Sequence, residues 1–160
     1  MTCLSDLLKL HNCLDEMFFE HQRDLLHFEF EKALQALLKY ETALLIHMRD
    51  EEEIVLPVYA KYDDIPRVGD AKLFFDEHEK MRAYVGMFLE ATEKLSASSA
   101  HEAELLMLLD REAFYKRLTG HHDKREHDFL YPILDERTTS AEKSQMLGRV
   151  RWKIENVSAA

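Results

Sequence analysis

A pattern of tyrosine, histidine, glutamate and proline occurs twice in the chain with the same internal spacing. The two copies are Tyr40, His47, Glu51, Pro57 and Tyr115, His122, Glu126, Pro132. On an α-helix, a histidine and a glutamate four residues apart lie about 40° apart on one face, one turn displaced. Both side chains can therefore reach the same metal ion, and a carboxylate can bridge two ions. Two such pairs on facing helices predict a two-metal site.

Two further histidines complete the predicted site. His11 lies in an apolar stripe near the N-terminus, and His78 lies between the apolar residues Phe74 and Met81. His21 lies about 15 Å further along the first helix than His11, which is too far to share the site. The predicted ligands are His11, His47, Glu51, His78, His122 and Glu126. Burying all six without compensation is costly, and metal coordination satisfies them together.

Simpler interpretations stand beside this one. A single histidine on an apolar face is usually a hydrogen-bonded core residue, and one His–Glu pair alone is more often a surface ion pair. Glu51 and Glu126 each lie in a charged run. Tyr40 and Tyr115 fit either ordinary core packing or a role at the edge of the site.

The ligand register on the fourth helix also has alternatives. His121 precedes Glu126 by five residues and could replace His122, although His122 agrees with the proline spacing of the first copy. His127 fits either an extra ligand or a group that supports one. Mixed histidine and carboxylate sites accept iron, manganese and zinc, so the pattern alone does not select the metal.

The hydrophobic periodicity predicts the helices that would position these residues. Four long helices are expected at about residues 4–27, 30–62, 70–95 and 100–135, and a short one at about residues 140–157 would pack on the outside. The clearest break is the segment 63–70, which contains Pro66 and Gly69. These elements predict a single all-α domain over residues 1–160: an antiparallel up-down four-helix bundle with a core at about residues 4–135 and an additional C-terminal helix.

Local signals mark the helix ends. Ser99 with Glu102, and Thr139 with Glu142, have the spacing of capping boxes. Each repeated proline follows its histidine by ten residues, and an interior proline removes a helical hydrogen bond. The second and fourth helices are therefore expected to bend or end just past the site.

The charge and the cysteines limit the class of protein. A net charge of −10, from 31 acidic and 21 basic residues, argues against nucleic acid and anionic membrane as partners. Cys3 and Cys13 on one helix would lie about 15 Å apart, which is too far for a disulfide. The sequence has no secretory pattern and no apolar run near the ~20 residues of a membrane-spanning helix. A cytoplasmic protein is expected.

Over about residues 5–135 the chain resembles the hemerythrin-like HHE cation-binding domain family. The resemblance rests on His11, on His47 to Glu53 followed by Leu56-Pro57, on Glu77-His78-Glu79, and on His122 to Glu126 followed by Tyr131-Pro132. It implies a non-haem di-iron centre in a four-helix bundle, with bridging carboxylates and an oxo or hydroxo bridge between two iron ions. Members of the family bind oxygen, react with nitric oxide or peroxide, sense iron or oxygen, or help to repair iron–sulfur clusters.

Two departures refine this expectation. Phe74 stands where the oxygen-carrying members have a second histidine on the third helix, and Glu126 follows its histidine by four residues where carriers have a carboxylate at five. The chain therefore looks more like a branch with four histidines and two glutamates. We expect a protein that binds or reacts with O2, NO or peroxide, or an iron- or oxygen-sensing module without turnover. A metal-free helical scaffold is the third hypothesis, and a homodimer is left open.

Overall fold

The computed structural model describes residues 3–97 and 101–152, and all regular structure within these ranges is helical. A 3₁₀ turn at Leu4–Leu8 leads into the first α-helix. The α-helices are α1 (Lys9–Leu26), α2 (Phe30–Asp50), α3 (Leu56–Tyr59), α4 (Ala71–Ala97), α5 (Glu102–Arg125), α6 (Tyr131–Arg137) and α7 (Ser140–Arg149). In the described part of the chain, no helix is both long and apolar enough to cross a membrane.

The four long helices each pack against two others. Helix α1 contacts α2 and α5, and α4 also contacts both α2 and α5. Each presents a buried stripe at intervals of three or four residues, as expected for amphipathic helices around a shared core. The stripe of α1, for example, comprises Leu10, His11, Leu14, Phe18, His21 and Leu25. Histidines are therefore part of the buried face from the first helix onward.

One π-helical turn interrupts each helix that carries a repeated motif. The turns span Glu51–Val55 and Glu126–Leu130, so each begins at a predicted ligand glutamate. Pro57 and Pro132 lie in the first turn of the α-helices that follow, where a missing backbone N–H is tolerated. The helical path thus continues past each proline, and the disturbance lies before it. Single π turns often occur at functional sites.

The sequence placed most helix ends within a few residues of their positions in the structure. The turn between α1 and α2 passes through Phe28, which has a positive φ of 58° and so adopts the left-handed conformation without glycine. The predicted box of Thr139 and Glu142 caps α7. The prediction for Ser99 lies outside the described residues.

The predicted end of the last helix was wrong within the described residues. Helix α7 ends at Arg149 instead of continuing toward residue 157, because Val150 adopts an extended conformation with φ −59° and ψ 126°. Residues 153–160 lie outside the described part. The segment after α7 also turns inward, since Val150 and Trp152 are each only 6% exposed.

Asp135 fastens the start of the chain to the end of α6. Its carboxylate accepts hydrogen bonds from the backbone N–H groups of Leu4 and Ser5, from the Ser5 hydroxyl and from the Cys3 thiol, at 2.5 to 3.0 Å. Burial alone would raise the pKa of Asp135, but these donors lower it to about 2. Cys3 and Cys13 are both free thiols.

Candidate metal centre

The structure brings all six predicted ligand side chains together in the core. They form two groups, and in each group one ligand atom per residue lies within 4.8 Å of every other. Subsite 1 contains His11 and His47, and subsite 2 contains His78 and His122. Glu51 and Glu126 belong to both subsites, as bridging carboxylates would.

The two oxygens of each glutamate face different subsites. Glu51 Oε1 lies 3.5 Å from His47 Nε2, whereas its Oε2 lies 3.3 Å from His78 Nε2. Glu126 Oε2 lies 3.0 Å from His11 Nε2, whereas its Oε1 lies 2.7 Å from His122 Nε2. Each subsite therefore receives two imidazole nitrogens and one oxygen from each carboxylate.

Within each subsite the two imidazoles point at one another. The Nε2 atoms of His11 and His47 are 3.1 Å apart, and those of His78 and His122 are 3.2 Å apart. One hydrogen bond can join each pair only if one nitrogen carries a proton and the other a lone pair. Two lone pairs converging with carboxylate oxygens are the donor set that zinc, iron or manganese prefers.

Hydrogen bonds leave this centre incompletely satisfied. All six side chains are buried, with exposures of 8% or less. Nevertheless Glu51 Oε2 and both carboxylate oxygens of Glu126 have no hydrogen-bond partner, although imidazole nitrogens lie close by. Buried carboxylate oxygens without partners are rare because desolvation makes them costly. The donor set therefore fits a cation between the side chains.

The buried charges shift the pKa values of the histidines in opposite directions. Burial lowers the pKa of His47 to about 3, so its imidazole is neutral at pH 7. Burial also opposes the charged form of His11, but the carboxylates of Glu126, Asp123 and Glu51 outweigh it and raise the pKa to about 9. A metal ion entering subsite 1 would therefore displace a proton from His11.

The histidines of subsite 2 are held from behind by two carboxylates. His78 Nδ1 lies 2.9 Å from Glu52 Oε1, and His122 Nδ1 lies 3.0 Å from Glu77 Oε2. Because an ionised carboxylate only accepts hydrogen bonds, both Nδ1–H groups are donors. Burial opposes the charged form of these rings, but the carboxylates of Glu51 and Glu52 raise the pKa of His78, and those of Glu126 and Glu77 raise the pKa of His122. An ion entering subsite 2 would therefore displace protons from Nε2. Arg82 and Arg125 hold Glu52 and Glu77 in place by ion pairs.

Subsite 1 has different surroundings. His11 Nδ1 lies 3.6 Å from Asp123, beyond normal hydrogen-bonding distance. The ring of His47 lies edge-on to Trp152, with the ring centres 5.8 Å apart. Asp50, next to Glu51, anchors this tryptophan by accepting its backbone N–H at 3.0 Å.

A tyrosine that the sequence did not single out reaches the centre. Tyr131, immediately before Pro132, donates its hydroxyl to Glu51 Oε1 at 2.5 Å. It is fully buried and occupies one of the few hydrogen-bonding positions of that carboxylate. Its only signal in the sequence was its place in the Tyr131-Pro132 pair, which contributes to the family resemblance but was given no role of its own. The supporting carboxylates Glu52 and Glu77 were missed as well.

A cavity of about 350 Å³ connects the centre with the surface. Its lining includes His11, His47 and His122, together with Tyr40 and Tyr115. The two tyrosine hydroxyls lie 2.5 Å apart and form a buried hydrogen bond. The tyrosines of the repeat thus pack against each other and also line the route to the candidate ligands.

The remaining histidines lie elsewhere. His21 is buried, as its place in the stripe suggested, and bonds to Glu112 at 2.8 Å and to the carbonyl of Ala33 at 2.8 Å, outside both subsites. His121 and His127 are exposed, so the geometry favours His122 as the inward residue of the fourth long helix.

Phe74 fills buried space beside subsite 2, with its ring centre 5.8 Å from that of His122.

Comparison of the chain with protein-family models, with curated proteins and with solved structures found no match.

Proposed function

We propose that this protein holds two iron ions in a non-haem dinuclear centre and binds or reacts with O2, NO or peroxide. The observation that supports this most directly is the division of each glutamate between the subsites, with one oxygen facing each histidine pair. The proposed architecture is an antiparallel up-down four-helix bundle of α1, α2, α4 and α5, with α7 as the additional helix. Manganese or zinc would suit the same ligands.

The residues of the chain have separate roles in this proposal. Iron supplies the ability to bind a small ligand and to exchange electrons with it. The four histidines bind the ions, and Glu51 and Glu126 bridge them. The hydroxyl of Tyr131 orients Glu51, and the cavity beside Tyr40 and Tyr115 admits a ligand of a few atoms.

A reactive or sensing role fits better than dedicated oxygen carriage. The four histidines and two shared carboxylates leave coordination positions for water or a small ligand on the ions. Phe74 is fully buried at the place where oxygen carriers of the hemerythrin-like family would offer a fifth histidine.

The first test is metal analysis of purified protein, with optical spectra before and after oxygen, nitric oxide or peroxide is added. We expect about two irons per chain after anaerobic reconstitution and a near-ultraviolet absorption change on exposure to air. His47→Ala and Glu126→Ala should lower the metal content. His127→Ala, at an exposed position, is the matched control and should retain it.

Three results would contradict the proposal or a part of it. A chain that stays metal-free after anaerobic reconstitution would favour the helical scaffold without metal. Unchanged metal content in both His47→Ala and Glu126→Ala would refute the ligand set. Two bound irons without any spectral response to the three ligands would exclude the reactive role alone.

The segment after α7 favours a second candidate, an iron-sensing module without turnover. Trp152 packs against His47, and Asp50 holds the backbone N–H groups of Arg151 and Trp152 at 2.8 and 3.0 Å. Loss of iron from His47 would loosen this packing and expose the buried segment after α7 to a partner. Proteolysis near Trp152 that accelerates on chelation would support sensing, whereas equal rates with and without iron would oppose it.

A further inference from the structure

We propose that the two metal subsites are unequal, with subsite 2 binding its ion tightly and subsite 1 binding a weaker, exchangeable ion. This inference rests on the proposed function, because it assumes that the six residues bind metal. The two subsites have the same number and type of ligands, namely two histidines and one oxygen from each shared glutamate, but we infer different metal affinities for them. Their surroundings, described above, make the difference.

The histidines of subsite 2 are oriented before a metal ion arrives. In the neutral imidazole, the hydrogen bonds from Nδ1 to Glu52 and Glu77 fix the tautomer whose Nε2 can bind metal. Such bonds also raise the basicity of the imidazole, and losing them typically lowers metal affinity by about 10–100-fold. Glu52 and Glu77 are therefore positioning residues for subsite 2.

These carboxylates are themselves fixed. Arg82 donates to both oxygens of Glu52 at 2.7 Å, and Arg125 pairs with Glu77, which is 5% exposed. The two arginines thus keep the carboxylates of Glu52 and Glu77 from turning away from the histidines into water. Two complete histidine–carboxylate–arginine chains converge on one ion.

Subsite 1 has no comparable support. His11 approaches Asp123 only at 3.6 Å, and this carboxylate is partly exposed. Among the described residues, the only carboxylate within ion-pair distance of His47 is the bridging Glu51 itself. The ring of His47 also packs against the indole of Trp152, whose N–H is a donor only and cannot accept a hydrogen bond from the imidazole.

Access from outside also favours subsite 1. Both of its histidines line the cavity, whereas subsite 2 contributes only His122 and its His78 is fully buried. An ion that enters through the cavity thus meets both histidines of subsite 1 but only one histidine of subsite 2. The hydrogen-bonded support of its histidines and the burial of His78 both favour slower loss of an ion from subsite 2.

The structure supplies a local reporter for the test. Trp152 is the only tryptophan of the chain, and it contacts a histidine of subsite 1 alone. Zinc has a filled d shell and no redox chemistry, so it changes tryptophan emission through local contacts. Zinc titration of the metal-free protein should show two steps whose affinities differ by about tenfold or more. Emission should change during the second step.

Isosteric variants that remove only the carboxylate charge separate the positioning role from a structural one. Glu52→Gln and Glu77→Gln should each weaken the first zinc step by about 10–100-fold and leave the second nearly unchanged. Glu79→Gln removes one exposed carboxylate that also pairs with Arg82, and it is the matched control that should alter neither step. The melting temperature of each metal-free variant shows whether the fold itself has changed.

The outcomes are distinguishable. Emission that changes with the first zinc equivalent would place the tight ion at subsite 1 and overturn the inference while leaving the dinuclear centre intact. Equal weakening of both steps, with a lower melting temperature of the metal-free variants, would also overturn it. No zinc binding by the unaltered protein would overturn the proposed function together with the inference.

Discussion

Removing metal should destabilise the folded protein strongly, because the ligands lie in the core. Without ions, three oxygen atoms of Glu51 and Glu126 are buried without hydrogen-bond partners. Like charges on these two carboxylates would also face each other in a medium of low polarity. The perturbation is chelation of the reconstituted protein, followed by removal of the chelator and its complex.

The expected effect is large for a chain of this size. At free metal 100-fold above each dissociation constant, one bound ion stabilises the folded state by about 2.7 kcal/mol, so two ions contribute about 5 kcal/mol. With an unfolding entropy of roughly 2.1 cal/mol/K per residue over 160 residues, this corresponds to a melting temperature lower by ~15 °C in the metal-free protein.

Thermal unfolding followed by circular dichroism at 222 nm is a direct assay. Glu126→Ala should melt at one temperature with and without chelator, because the variant lacks an oxygen for each subsite. His121→Ala, exposed and outside the centre, should keep the full difference. If protein with two ions by elemental analysis melts within about 2 °C of its metal-free form, the ligands do not couple metal binding to folding as reasoned.

Three further changes test other buried contacts. His21→Ala should lower the unfolding free energy in urea by about 3–5 kcal/mol, because Glu112 stays buried, whereas changing both residues to leucine should cost less. Tyr115→Phe leaves the Tyr40 hydroxyl unpaired and should cost about 1–3 kcal/mol, with a smaller loss when both become phenylalanine. Asp135 has a pKa lowered to about 2, so its stabilisation is present above pH ~4 and lost as the pH falls toward 2. Urea unfolding of Asp135→Asn and the unaltered protein should therefore differ at pH 6 and converge near pH 2; a constant difference would contradict this.

The residues at the centre could be predicted because helical geometry acts over short distances. A spacing of four places His47 beside Glu51, and the same spacing places His122 beside Glu126, whatever the rest of the chain does. The two copies have the same internal spacing, and this repetition was a stronger indication of a shared site than either copy alone. The structure brings these four residues together with His11 and His78. The apolar residues around these two histidines in the sequence had predicted that both would be buried.

The supporting groups could not be predicted in this way. Glu52 and Glu77 lie in charged runs, and only the packing of two helices shows which carboxylates reach a histidine from behind. Tyr131 approaches Glu51 across the core from a distant segment. The position of Trp152 depends on the end of α7 at Arg149, where the periodicity suggested continued helix. Contacts between distant residues leave no periodic signal.

The two π turns act as angular spacers between each glutamate and the helix that follows. A π turn contains about one residue more than an α turn, and one residue corresponds to about 100° around the helix axis. Deleting one residue within Glu126–Leu130 would therefore swing Tyr131 away from Glu51 while leaving His122 in place. The equivalent deletion in Glu51–Val55 would turn Tyr59 away from the carbonyl of Gly69, which its hydroxyl contacts at 2.8 Å. The number of residues in these two turns, as much as their identity, therefore determines which side chains of α3 and α6 make these buried contacts.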